Sequence, residues 1–281
     1  MEASTKRFIK AAESCFTWSI LFMALTVFFS GTVHASDGDG AANLSPGKAW
    51  NTVRLDYEQF YTRYRLVRLM LAYGLGDIAA NTDADQHLQD WYQDHVRSSG
   101  TDRASTIAKN FGNGWYIVPL TVASAALGTY VLPRGEAGSA LGTWGGRSLR
   151  AILVGGPAVV VMRSVTGASR PSENNGSQWR PFKSTHGVSG HAFIGAIPFL
   201  TLARMYEDYW YVKYPLYLAS TLTAISRIND NQHFPSQAAL GWYMAWEATD
   251  SIAERDSGGR KVKILPILGY NTYGLQVYIE W

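Results

Sequence analysis

From about Ala49 to Leu71, apolar and aromatic residues recur at helical spacing among charges, which predicts an amphipathic helix. The stretch Asp77–Asp102 then turns acidic and polar and predicts a solvated loop with helix caps. Asp83, Asp85 and Asp90 lie in it, but without the spacing of a calcium loop or a neighbouring His or Cys cluster. Beyond it, apolar runs alternate with breaks that carry most of the Gly and Pro. Helices are predicted near 115–132, 147–165, 190–206, 212–227 and 235–253. After "SGGR" the periodicity changes, and "KVKILPILGYNTYGLQVYIEW" predicts two strands around Gly269–Tyr273. The pattern describes an all-α helical bundle with a short C-terminal β-hairpin, without an internal repeat.

The N-terminus follows a different rule. Lys6, Arg7 and Lys10 precede an uncharged stretch from Cys15 to Val33, and "VHA" offers small residues for cleavage after Ala35. That is the pattern of a secretory signal peptide over residues 1–35, with an uncleaved anchor as the alternative. The only cysteine, Cys15, would leave with it, so the exported chain would hold neither a disulfide nor a thiol nucleophile. "SDGDGAANLS" begins a linker over residues 36–48. A helical domain over residues 49–256 and a β appendage over 257–281 complete the expected organisation. These features place the protein in the periplasm, as a soluble or peripheral bundle or embedded in the membrane.

Composition narrows the options. The chain of 281 residues is 47% hydrophobic and 17% charged, enough to bury a sizeable core. A net charge of +3, dispersed along the chain, gives no footprint for nucleic acid. The uncharged stretch Asn110–Pro133 is long enough to span a bilayer but is broken by Gly and Pro. The other apolar runs are nearer to core-helix length, and the mean hydropathy is −0.10. A bundle that at most touches a membrane fits best. The aromatic segment "YEDYWYVKY", Tyr206–Tyr214, reads as core in preference to a membrane-facing belt.

Three polar clusters interrupt the apolar helices. "VSGHAFIGAIPFL" sets Ser189, Gly190 and His191 in front of a buried-looking run. Ser189 could simply cap that helix, or the same helix start, with its unpaired N–H groups, could hold an anion. "RSVTGASRP" carries Arg163 and Arg170, and "SRINDNQH" carries Arg227 and His233. Each alone reads as surface charge or a structural histidine. Together they offer guanidinium groups that fit phosphate oxygens at any working pH. They also supply one imidazole to attack phosphorus and another to protonate the departing oxygen. Lys183 and His186, in "FKSTHG", read as a solvated loop near this cluster in preference to part of its mouth.

In order and spacing the clusters resemble the type 2 phosphatidic acid phosphatase superfamily, which includes class A acid phosphatases and vanadium haloperoxidases. The family's motifs K-x₆-R-P, P-S-G-H and S-R-x₅-H-x₃-D appear as Arg163-x₆-Arg170-Pro171, Val188-Ser189-Gly190-His191 and Ser226-Arg227-x₅-His233-x₃-Gln237. This resemblance implies the family's helical bundle around a motif core from 163 to 237. It implies that Arg163, Arg170 and Arg227 hold phosphate with the Ser189 hydroxyl and the Gly190 amide. His233 would be the nucleophile, and His191 the acid and then the base. No metal or other cofactor is implied. The partner would be a phosphorylated small molecule or a lipid, the latter slightly favoured.

Three positions depart from the family. Arg163 replaces Lys and keeps the charge, and Val188 replaces a turn proline. Gln237 replaces the Asp that would bond the nucleophilic imidazole, and an amide can orient the ring without stabilising its cation. The sequence therefore also admits a phospho-ligand binding protein with an impaired site, and a vanadate-dependent peroxidase using the same pocket. Were Gln237 not to orient His233, Asp230 is the first nearby carboxylate to consider.

Overall fold

The computed structural model describes residues 46–132, 136–258, 262–269 and 272–279. The predicted signal peptide and most of the linker lie outside the described residues. Ten helices follow in these residues: α1 Pro46–Phe60, α2 Arg63–Asn81, α3 Ala84–His95, α4 Ser99–Ala108, α5 Gly114–Ala126, α6 Glu136–Thr166, α7 Gly190–Met205, α8 Trp210–Ser220, α9 Leu222–Asn229 and α10 Pro235–Asp256. A π-helical turn, Leu127–Val131, extends α5. Strands β1 Val262–Gly269 and β2 Thr272–Ile279 pair antiparallel, Val262 opposite Ile279 and Gly269 opposite Thr272.

The bundle is built around α10, which packs on α7, α6, α2 and α1, while α7 also meets α6, α8 and α9. Phe60, Val154, Phe193, Ile197, Leu200, Met244 and Ile252 form its dry centre. Burying one such side chain contributes about 1.5–3 kcal/mol, so these contacts fix the helix order. Pro157 lies inside α6 and supplies no N–H to the carbonyl four residues earlier, Leu153. The Tyr57 hydroxyl donates to that carbonyl at 2.8 Å, which ties α1 to α6 through the bond the proline leaves open.

Charge is buried here as well as apolar surface. Arg65 of α2 is fully buried and meets Glu247 at 2.9 Å, Asp250 at 3.1 Å and Glu254, all on α10. Arg68 meets Glu247 at 2.7 Å, and Arg204 of α7 meets Asp250 at 3.1 Å while lying over the Trp246 ring. Asp56 of α1 receives both Arg150 and Arg255 at 2.7 Å.

Several expected boundaries need correction. The helix expected over 49–71 is two helices, because the chain turns at Tyr61–Thr62 with Thr62 in extended conformation. The expected loop 77–102 is mostly helical: α3 buries Asp85 and Gln89 and leaves Asp83 and Asp90 outside. The segment 212–227 breaks at Thr221 into α8 and α9. The aromatic segment is not core, since Tyr209, Trp210, Tyr211 and Tyr214 are each more than half exposed. Its neighbour Tyr217 makes the ring contact with Trp246 that seats α8. Finally, Gly114–Val131 and Gly138–Glu173 are both long and apolar enough to cross a membrane, the first mostly outside the bundle's interior and the second half inside it.

Candidate active site

The three motifs sit where helices end. Arg163 lies in the last turn of α6, Ser189–His191 at the start of α7, Arg227 in the last turn of α9, and His233–Gln237 at the start of α10. Two helix N-termini, each with unpaired N–H groups, thus flank the cluster. They are pinned to each other: the Ser189 N–H donates to the Gln237 carbonyl at 2.9 Å. Only glycine permits this approach, because a Cβ on Gly241 would lie 2.2 Å from the Ser189 carbonyl oxygen.

Ser189 is fully buried, and its hydroxyl oxygen accepts the Ala192 N–H at 3.2 Å. It is therefore a helix cap, and its own O–H remains a donor beside the site. Gly190 opens the space above the helix start: a Cβ there would stand 3.7 Å from Arg163 Nη1. Cap and anion site are compatible at this position.

Each guanidinium is held from behind. Arg163 Nε donates to the Thr185 carbonyl at 2.8 Å, and Arg170 Nη1 donates to Gln232 Oε1 at 2.9 Å. Arg227 Nη1 lies 3.6 Å from Asp230 Oδ2. Asp230 is itself fixed by the Ser105 hydroxyl at 2.6 Å. The Nε atoms of Arg170 and Arg227 are buried without a hydrogen-bond partner among the described residues. Buried N–H groups left unmade are costly, but the Nε atoms of Arg65 and Arg204 share this state among the described residues, so it is the absence of close carboxylate partners that distinguishes Arg163 and Arg170.

The histidines respond to this surplus of positive charge. His233 is buried, and burial together with the three guanidiniums holds its imidazole well below the ordinary range, against a hydrogen bond donated to Gln237 that favours the cation. Its Nδ1 is 3.0 Å from Gln237 Oε1. That oxygen also accepts the Phe234 N–H at 3.2 Å, while Gln237 Nε2 donates to the Ser169 carbonyl at 2.8 Å. With the amide so oriented, Nδ1 carries the hydrogen and Nε2 keeps its lone pair. Pro235 at the first helical position suits this tight helix start. His191 stands at the rim, wet on its outer side and walled by protein on the other. Lost hydration, then Arg227, Arg163 and Arg170, push it down to about 4.

All eight residues singled out in the sequence, Arg163, Arg170, Ser189, Gly190, His191, Arg227, His233 and Gln237, therefore gather at one place. Their neighbours include residues that no motif marked. Gln232 occupies the variable gap of the third motif. Asp85 reaches from α3 to the start of α10, accepting the Ser236 N–H at 2.9 Å and hydroxyl at 2.6 Å. It is a helix cap for a distant helix, and burial raises its carboxyl against those bonds. Lys183 is exposed as expected for a solvated loop, but His186 is not: it is buried, its ring 6.5 Å from that of His233. The loop reaches this far inward because Gly187 has no side chain to strike Thr166, whose Oγ1 would lie 1.8 Å from a Cβ. Among the described residues, no group of three or more His, Cys, Asp or Glu is placed to hold a metal.

Residues 152–249, which carry every one of these motif positions, match the PAP2 superfamily. No curated protein and no solved structure matches the chain.

Proposed function

With residues 152–249 as a PAP2 superfamily domain, a family whose members are generally phosphatases, we propose that this chain hydrolyses phosphate monoesters or diphosphates through a phosphohistidine on His233. One observation carries the reading: the Gln237 carbonyl fixes the tautomer that leaves His233 Nε2 as a free lone pair, inside a ring of three guanidiniums.

The steps follow from that placement. His233 Nε2 attacks phosphorus as the bond from phosphorus to the ester oxygen breaks. His191 passes its proton to that oxygen. Water then gives its proton to His191 and its oxygen to phosphorus, and the N–P bond breaks to return His233 and inorganic phosphate. Arg163, Arg170 and Arg227 hold the non-bridging oxygens, where charge accumulates in the transition state. An imidazole held down to about 4 carries no proton to give near neutral pH. A bound phosphate dianion would offset the guanidiniums' share of that depression and favour protonation.

A lipid substrate is favoured over a small soluble ester because apolar side chains face solvent beside the cluster. Val160, Val161 and Val165 flank Arg163 on α6, and Phe182 is 77% exposed on the neighbouring loop. Exposed Trp and Tyr on α8 suit a bilayer interface. We place the protein in the periplasm on its N-terminal pattern.

The test is turnover of p-nitrophenyl phosphate in chelator, followed by acid-free quenching with labelled substrate. An acid-labile, base-stable phosphoenzyme is expected and should vanish in His233→Ala. Label retained in that variant removes His233 from the nucleophile's role. Tight phosphate binding without turnover would favour the second reading, a phospho-ligand binder, which the uncharged Gln237 keeps in play.

A further inference from the structure

A phosphohistidine is cationic while it forms, and Gln237 brings it a carbonyl without a charge. The carboxylates near the site are therefore informative. Asp230 faces Arg227 and Ser105, and Asp85 faces Ser236. Glu173 is the third. Its Oε2 accepts the Arg170 N–H at 3.3 Å, and its Oε1 lies 3.6 Å from His186 Nε2. His186 in turn stands edge to face with His233, ring centres 6.5 Å apart and planes at 73°. Glu173 is thus the carboxylate whose partner is in ring contact with the nucleophile.

The parts of this chain are fixed in place. The turn Pro171–Glu173 is tied to the third motif by the Ser172 N–H, which donates to the Asn231 carbonyl at 3.3 Å. The loop carrying His186 is pressed on the end of α6. Its Arg180 N–H donates to the Thr166 carbonyl at 3.0 Å and its Phe182 N–H to Ser164 at 2.8 Å. Phe182 does so in left-handed conformation, φ 63°, its side chain left exposed while its N–H is held by that bond. A loop held this firmly can aim a side chain, and the one it buries against His233 is His186.

We propose that Glu173 and His186 are a positioning pair for His233: His186 sets the face of the nucleophile's ring, and Glu173 supplies through it the negative charge that Gln237 lacks. This rests on His233 being the nucleophile. The Glu173 carboxylate stands one imidazole away from His233 in a site dominated by guanidiniums, where a negative charge favours the cationic ring formed as the N–P bond closes. Glu173 is partly exposed, its side chain at 39%, so solvent screens that influence and the effect to look for is modest.

The experiment is a single-turnover cycle with labelled p-nitrophenyl phosphate on the native protein, Glu173→Gln, Gln237→Asp and the double variant, with His233→Ala as reference. Glu173→Gln keeps size and the hydrogen bond from Arg170, so it isolates the charge. It should slow phosphoenzyme formation about tenfold, well short of the roughly 10⁴ lost when a carboxylate bonded directly to a catalytic imidazole becomes an amide. Inorganic phosphate should bind the variant as tightly as the native protein or more tightly, because a repelling charge is gone. In the Gln237→Asp background the same change should cost less than about twofold, since the new carboxylate takes over its task. A merely structural role would weaken phosphate binding and slow both backgrounds equally. Equal losses, or no loss in Glu173→Gln, overturn the inference while an unlabelled His233→Ala leaves the nucleophile standing. Label persisting in His233→Ala overturns both.

Discussion

Two arginine clusters lie in the same bundle and solve opposite problems. Around Arg65 each positive charge is set against carboxylates: Glu247, Asp250 and Glu254 surround one guanidinium, and Asp56 takes Arg150 and Arg255. Around His233, Arg163 and Arg170 rest on a backbone carbonyl and a side-chain amide, and Asp230 stands off from Arg227 at 3.6 Å. Neutral acceptors orient a guanidinium without spending its charge. The first cluster has its charges matched by carboxylates and holds helices together, although the Nε atoms of Arg65 and Arg204 are also buried without a hydrogen-bond partner among the described residues. The second keeps its positive charge largely unmatched, which on the proposed reading an anion would complete; its imidazoles are depressed first by burial and then by those guanidiniums.

The largest expected effect breaks the first cluster. Arg65→Ala leaves three carboxylates facing one another inside the bundle, and should cost about 3–5 kcal/mol of stability in urea denaturation. Arg170→Ala should do the reverse: turnover falls roughly 10²–10³-fold, as for other groups that stabilise transition-state charge, while stability holds or rises. If both substitutions destabilise equally, the clusters do not differ in kind.

The next effect is on pH dependence. His191 and His233 are held below the usual histidine value of about 6.5, so in the window from there down to about 4 the unfolded chain binds more protons than the folded one. Stability should therefore fall as pH falls through that window, and phosphate should offset the loss. Histidine NMR should place His191 near 4 in the empty protein and move it upward on adding phosphate. A ring titrating near 6.5 with and without phosphate would mean that neither burial nor the guanidiniums depress it.

The smallest effect concerns Gln237. Gln237→Asp should raise single-turnover phosphorylation by about threefold to tenfold, and Gln237→Leu should lower it, since the first adds a counter-charge and the second removes the tautomer lock. A native rate in Leu with no gain in Asp would pass the orienting task to another group.

The sequence made the second cluster legible and hid the first. Arg163, Arg170, Arg227, His191 and His233 each read alone as surface charge or a structural histidine; together they stand out because their order and spacing resemble the superfamily's motifs, a signal that survives without a structure. Arg65 gives no such signal: among the charges of an amphipathic helix, nothing marks the one that turns inward until α10 supplies its carboxylates. Asp85 was hidden for the same reason, being buried by a helix 151 residues away in sequence. His186 read as solvated because Lys, Ser and Thr surround it, whereas its burial depends on Gly187 fitting against Thr166. Tyr209–Tyr214 misled in the other direction. Aromatic density implies burial only where a partner helix covers it, and α8 is covered on its Tyr217 side.

The under-neutralised cluster is tested most directly by calorimetric titration with inorganic phosphate, comparing the native protein with Arg163→Ala, Arg170→Ala, Arg227→Ala and Lys183→Ala. Lys183 is exposed on the adjoining loop and controls for net charge alone. One phosphate per chain is expected, weakened at least about tenfold by loss of any one of the three arginines and less than about twofold by loss of Lys183. Equal weakening in all four variants, or none in any, would contradict a built phosphate site.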